Sequence, residues 1–204
     1  GVNGWPKPIL SKQLWSWGYN VNGELGLNNT TNYSSPKQVG ALTNWLTIAC
    51  GYQHTVSIKT DGTLWSWGYN VYGQLGLGNK TNYSSPKQVG ALTNWSSVSC
   101  GQYYTVSIKT DGTLWSWGQN AQGQLGLNNT TYYSSPKQVG ALTTWSSVSC
   151  GGYHTVSIKT DGTLWSWGNN GYGELGQGNT TALSSPKQVG ALTNWSSVSC
   201  GTYH

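Results

Sequence analysis

Apolar and polar positions alternate over short stretches of this chain, and the same stretches return every fifty residues. In "TVSIKT" (55–60), Val56 and Ile58 sit between polar neighbours, a period of two that predicts a half-buried strand. Asp61 and Gly62 follow as the positive-φ pair of a tight hairpin, and "TLWSWG" (63–68) returns as the partner strand. A loop, "YNVNGELGLNNTTNYSS" (19–35), runs to Pro36. There "PKQVG" predicts a short edge strand, because proline has no N–H to give to a ladder. In "WLTIACG" (45–51), Ile48 and Cys50 fall on one face. The sum is about four short strands per unit, and no stretch has a helical period.

Counted from "LWSWG", the units run 14–63, 64–113, 114–163 and a shorter 164–204, preceded by a segment of residues 1–13. Residues 51–100 and 101–150 differ at only ten positions. Repeats of this length, built of short antiparallel strands, predict an all-β protein: a β-propeller in which each repeat of about fifty residues supplies a blade of about four antiparallel strands.

Composition changes the picture of the core. The chain has 13 Trp and no Phe or Met. Trp15, Trp17 and Trp45 recur in each unit, so tryptophan must fill the space between blades; sugar stacking is the competing role. Cys50, Cys100, Cys150 and Cys200 each precede a glycine. Equivalent positions in stacked repeats are too far apart for disulfide geometry, which leaves them as small buried apolar residues.

Charge is sparse. Ten lysines stand against five acids, for a net charge of +5, and there is no arginine. Lys37, Lys59 and their equivalents recur at fixed repeat positions. They are spread around the molecule and form no nucleic-acid or membrane footprint. No apolar stretch is long enough to span a bilayer.

"LWSWGYNVNGELGL", "SSPKQV", "CGYQHT" and "TDGTLWSWG" resemble the regulator of chromosome condensation repeat, and the resemblance covers residues 14–204. It implies a β-propeller, usually seven-bladed, with the sequence repeat offset from the blade and the ends interlocked. Members of that family include a nuclear exchange factor, ubiquitin-ligase modules and secreted bacterial propellers that inhibit β-lactamase. This chain departs from the pattern in having four repeats, and in lacking the long charged loops and basic tail on which exchange activity rests.

Candidate chemistry is thin. Asp61, Asp111 and Asp161 are accounted for by the hairpin turn, and Glu24 and Glu174 stand where Gln74 and Gln124 stand in other units. His54, His154 and His204 share a slot with Tyr104, which favours a hydrogen-bonding role over a ring of metal ligands. No catalytic, cofactor or metal residues are assigned, and the protein is read as a non-enzyme.

The repeats differ mainly in their loops. After each Trp-Gly pair the variable residues are Tyr19, Val21 and Asn22; Tyr69 and Tyr72; Gln119 and Gln122; Asn169 and Tyr172. After each Cys-Gly pair they are Tyr52 and Gln53; Gln102 and Tyr103; Tyr153; and Tyr203. Tyr132 varies in the longer loop. Tyr, Gln and Asn make adaptable contact surfaces, and drift at unconstrained turns is the alternative. Asn-x-Ser/Thr sites, among them Asn29, Asn79, Asn129 and Asn179, together with the low charge, point to an extracellular or cell-surface setting.

The shortened last unit lacks the strand that precedes "LWSWG" elsewhere. The segment Ile9, Leu10, Ser11, Lys12 and Gln13 sits where such a strand belongs. These residues, with Val198 and Cys200, are the candidate closing or inter-subunit strands. Two functions stay open. One is a self-assembling extracellular structural protein, a homo-oligomer or filament whose termini complete a shared blade. The other is a secreted binding module whose variable loops take a protein or glycan ligand. Neither involves nucleic acid.

Overall fold

The structure, a computed structural model, describes residues 12–204. It is all-β. Strands β1 (Trp15–Gly18) and β2 (Tyr33–Gln38) form a two-stranded sheet. The first full blade contains β3 (Trp45–Cys50), β4 (His54–Lys59), β5 (Leu64–Gly68) and β6 (Tyr83–Gln88). The second contains β7 (Trp95–Cys100), β8 (Tyr104–Lys109), β9 (Leu114–Gly118) and β10 (Tyr133–Gln138). The third contains β11 (Trp145–Cys150), β12 (His154–Lys159), β13 (Leu164–Gly168) and β14 (Leu183–Gln188).

Within each sheet, neighbours in sequence pair antiparallel, and the inner strands β3, β7 and β11 pack side by side. Each blade takes two strands from one repeat and two from the next. The offset therefore ties consecutive repeats together through backbone hydrogen bonds.

The β4–β5 hairpin forms as expected, but its turn works differently. Only Gly62 has positive φ (77°), and among the described residues only Asn28 and Asn128 adopt positive φ without being glycine. Asp61 contributes its carboxylate instead, accepting from the Thr63 amide at 3.0 Å and the Thr63 hydroxyl at 2.6 Å. Proline does lie on the outer strands: Pro36, Pro86, Pro136 and Pro186 fall within β2, β6, β10 and β14. Those strands start three residues earlier than expected, at Tyr33 and its equivalents, so the end of the expected loop is strand.

The half-buried expectation for "TVSIKT" is also corrected. Every residue of β4 is buried, because a blade is covered on both faces by its neighbours. Its polar residues survive burial by reaching backbone. Ser57 donates to the Thr47 carbonyl at 2.5 Å and Thr55 to the Glu24 carbonyl at 2.9 Å.

Tryptophan fills the junctions. Trp67, Trp117 and Trp167 are fully buried and meet Trp45, Trp95 and Trp145 edge-to-face at 5.8–5.9 Å. Burial removes these internal indoles from any sugar-stacking role. Trp17, at the same repeat position as Trp67, is 59% exposed, because no blade precedes its sheet among the described residues.

Cys100, Cys150 and Cys200 pack against the hydrophobic clusters of the blades, while Cys50 does not. With their glycines, all four cysteines line a funnel of about 470 Å³ along the inner strands. Cys50 is exposed and the others are half-buried. Burial against neighbouring groups holds the Cys150 thiol up at about 12, so it stays protonated and unreactive at neutral pH.

Candidate functional site

The loops that vary between repeats are hung on a frame that does not vary. After β5, Gly68 (φ 101°) turns the chain out of the sheet and Asn70 is buried beneath the loop. The Asn70 amide donates to the carbonyls of Asn79 at 3.1 Å and Thr81 at 3.0 Å, and its side-chain oxygen accepts from the Leu75 amide at 2.9 Å. Next in line, the Gln74 carbonyl accepts from Trp117 Nε1 at 2.9 Å and the Thr105 hydroxyl at 2.8 Å, both from the following blade. The Asn-x-x-Gly-Gln-Leu-Gly run is thus an inter-blade clamp. Because the clamp acceptor is main chain, Glu24 serves as well as Gln74. Only the intervening positions are free to project and to differ.

Those free positions converge. Tyr52, Tyr69, Tyr72, Tyr103 and Tyr132 form a continuous aromatic cluster at one mouth of the array. The Tyr103 ring lies 5.8 Å from Tyr52, 5.9 Å from Tyr69 and 5.1 Å from Tyr72, and Tyr72 lies 5.9 Å from Tyr132. Partial burial and then the neighbouring phenols of Tyr52, Tyr153, Tyr72 and Tyr69 push the Tyr103 hydroxyl above its ordinary pKa, which keeps it a neutral donor. A second pair, Tyr172 and Tyr203, is 5.8 Å apart, with Tyr172 79% exposed. Tyr19 and Val21 are exposed on the first repeat.

The polar candidates lie closer to the frame. Asn22 donates to Glu24 at 3.0 Å and Asn169 to Glu174 at 2.6 Å, while Gln122 takes its backbone amide to Gln124 at 2.9 Å. Gln53 and Gln102 offer main-chain carbonyls to Tyr69 and Tyr52, and the Gln119 amide oxygen is buried. Asn22 and Asn169 thus bond through their side chains, and Gln53, Gln102 and Gln122 through their main chain.

The His slot is structural. His54 Nε2 lies 3.1 Å from the Thr105 hydroxyl of the next blade, and the Tyr104 hydroxyl donates to the Gly151 and His154 carbonyls one blade further on. Complete burial lowers the His54 pKa to about 3, so the imidazole stays neutral. Several glycosylation-type asparagines are committed as well: Asn29, Asn79 and Asn129 each donate to a carbonyl two residues back and approach the Tyr33, Tyr83 or Tyr133 hydroxyl. That bonding accounts for their recurrence.

Of the closing-strand candidates, Ile9, Leu10 and Ser11 lie outside the described residues. Lys12 takes the place Gly62 holds elsewhere: its carbonyl accepts from the Trp45 amide at 3.3 Å, as Gly62 accepts from Trp95. Gln13 follows it, exposed. Val198 and Cys200 pack against Val156, Ile158 and Leu164, and the Cys200 amide donates to Ser149 at 2.9 Å. This segment continues the row of inner strands, yet it has no β4-like partner among the described residues.

Lys59, Lys109 and Lys159 are spread around the array as their recurrence implies, but not as free charges. Each is buried between two indole rings. Their fixed spacing from the tryptophans was the available signal.

Comparison with known proteins agrees with this architecture. The sequence profile of the regulator of chromosome condensation (RCC1) repeat matches residues 12–58, 61–108, 111–158 and 161–204. A protein RCC2 homolog from Danio rerio is 38% identical over 53 residues, which is 25% of this chain and 11% of the relative. Human WBSCR16 superposes with a TM-score of 0.82 at 22% identity, covering 94% of this chain and 52% of that one. Prp20p from Saccharomyces cerevisiae, described with its binding properties to Gsp1p and histones, gives 0.80 at 23%, covering 93% and 50%. The chain spans about half the length of these solved relatives, and both share its propeller fold. With four consecutive matches, inter-blade clamps and offset blades, the chain belongs to the regulator of chromosome condensation (RCC1) repeat family.

Proposed function

We propose that the chain is a non-catalytic protein-interaction module whose tyrosine platform is its contact surface. The observation that carries this reading is the convergence of residues from three repeats, separated by up to 80 positions, into one aromatic cluster built from the positions that vary. Rigid phenols on a fixed frame bury large area at low entropic cost and keep a hydrogen-bonding tip. The protein partners of solved relatives support the same class of function. Sparse charge and neutral polar loops favour an extracellular setting. The triple variant Tyr52→Ser, Tyr72→Ser, Tyr103→Ser should lose at least about tenfold in affinity for proteins retained from source extract, with the far-UV circular dichroism spectrum of the folded protein retained. Equal retention by variant and parent refutes the platform. Retention of immobilised glycans instead of proteins, lost in the same variant, assigns a carbohydrate ligand.

A second reading, self-assembly, has its own support in the two edges that no other blade covers among the described residues. At internal junctions Gly23, Gly73 and Gly123 abut Ser84, Ser134 and Ser184 of the next blade, whereas nothing lies within 4 Å of a Cβ placed on Gly173. One edge therefore offers the clamp loop around Glu174 and the other offers the exposed Trp17, the two halves of a junction the chain makes repeatedly. Copies joined edge to edge form a closed ring, or a filament if the rotation does not close. Sedimentation should show mass rising with concentration, and Trp17→Glu should abolish the rise. A 22.0 kDa monomer at every concentration sinks this reading.

A further inference from the structure

Two equivalent clefts lie between the three full blades, each bordered by an indole N–H that has no acceptor. The cleft between the first and second blades encloses about 380 Å³, walled by Leu77, Val89, Trp115 and Pro136, and lined also by Lys109 and Trp95. The Lys109 ammonium sits 3.6 Å from the Trp115 ring centroid and 4.9 Å from that of Trp95, and the residue is 6% exposed. Among the described residues it has neither an ion pair nor a hydrogen bond. The nearby Asp111 carboxylate is engaged by Thr113, at 3.0 Å from the amide and 2.6 Å from the hydroxyl. Trp95 Nε1 is buried and likewise has no acceptor.

Fifty residues on, a cleft of about 360 Å³ is walled by Trp145, Trp165 and Pro186. The rings of those tryptophans hold Lys159 at 4.9 and 3.4 Å. At the preceding junction Trp45 and Trp65 hold Lys59 at 4.9 and 3.5 Å. Trp145 Nε1 and Trp45 Nε1 also lack acceptors. Leu42, Leu92 and Leu142 stand 47–48% exposed at the same position of successive repeats. An ammonium held by indole faces without a direct ion pair and an orphan indole N–H therefore recur at all three junctions, and at two of them an apolar cleft lies alongside.

We infer that these clefts are a docking row for a polypeptide partner bearing glutamate side chains, one carboxylate per cleft. Indole faces give the partly desolvated ammonium no ion pair, and a carboxylate would offer an acceptor to both donors. The apolar walls suit the methylene stem and neighbouring leucines. A cationic ligand would meet like charge. Identical sites at one per blade suit a chain-like ligand, whose successive contacts reinforce one another. This surface is separate from the tyrosine platform.

The test uses an acetylated, amidated Gly-Leu-Glu-Leu-Gly peptide and its Gln counterpart. The Glu peptide should bind at least about tenfold more tightly, since only it supplies the counter-charge. In wild-type NMR spectra it should move the indole N–H signals of Trp45, Trp95 and Trp145. Those of Trp67, Trp117 and Trp167, already donated to carbonyls, should stay in place. The variant Lys59→Met, Lys109→Met, Lys159→Met should lose the preference for Glu. Equal binding of the two peptides, shifts at the second indole set, or a preference that survives the lysine substitutions overturns the inference. If the lysine variant does not fold, the wild-type indole shifts decide.

Discussion

Truncating Trp117 to alanine should lower the unfolding free energy by about 4 kcal/mol, whereas the same change at Trp17 should cost less than about 1 kcal/mol. The two residues occupy the same place in the repeat and differ only in what covers them. Trp117 is fully buried, packs edge-to-face on Trp95 and donates to the Gln74 carbonyl. It also fits over Gly76, where a Cβ would come within 2.7 Å of its indole nitrogen. Removing it leaves a cavity and an unmet clamp. Trp17 is 59% exposed, so most of its surface already touches water. Chemical denaturation of both variants, monitored by far-UV circular dichroism, checks the contrast. Similar losses at the two positions would mean that the first sheet is covered in solution, which is what edge-to-edge association requires.

Acid should destabilise the fold through His54. Burial holds this imidazole at a pKa of about 3 against an ordinary 6.5, so the folded chain keeps it neutral while the unfolded chain takes up a proton. The sign follows from that difference. Stability from this residue is fully present above pH 6.5 and is lost as pH falls from there toward 3. At full extent the loss is of the order of 5 kcal/mol. Tyr104 fills the same slot one repeat later and does not titrate in this range, because burial raises its phenol further. His54→Tyr should therefore flatten the acid limb of the stability curve. Between pH 7 and 4 the gap between wild type and variant should change by about 3 kcal/mol. A gap independent of pH would show that His54 is solvated.

Much of the architecture was legible before any coordinates. The Asp61–Gly62 turn, the proline-bearing outer strands and the fifty-residue period are local signals, and local chemistry enforces them. The strand Thr55–Thr60 was misread in one respect. Alternation of Val56 and Ile58 with polar residues looks half-buried, yet Thr55 and Ser57 are buried too, because carbonyls of residues 24 and 47 receive their hydroxyls. Alternation reports side-chain polarity and does not reveal whether a polar face finds backbone acceptors.

The candidate site divides in the same way. Its members were visible as the positions where near-identical repeats differ. Which of them meet was not visible, since Tyr52 and Tyr103 are far apart in sequence and touch only because adjacent blades set equivalent loops side by side. The setting of Lys109 was not visible either, because nothing in its own stretch announces the two indoles that enclose it.

By itself, then, the sequence determined the repeat, its strands and turns, and a core made of tryptophan, because each follows from chemistry within a few residues or from strict periodicity. The tertiary structure decided which tryptophans are covered, which tyrosines meet and which lysines lie against indole rings. Those outcomes depend on the blade next door, and identical local sequences such as "LWSWG" meet different neighbours at the edge and in the middle of the array.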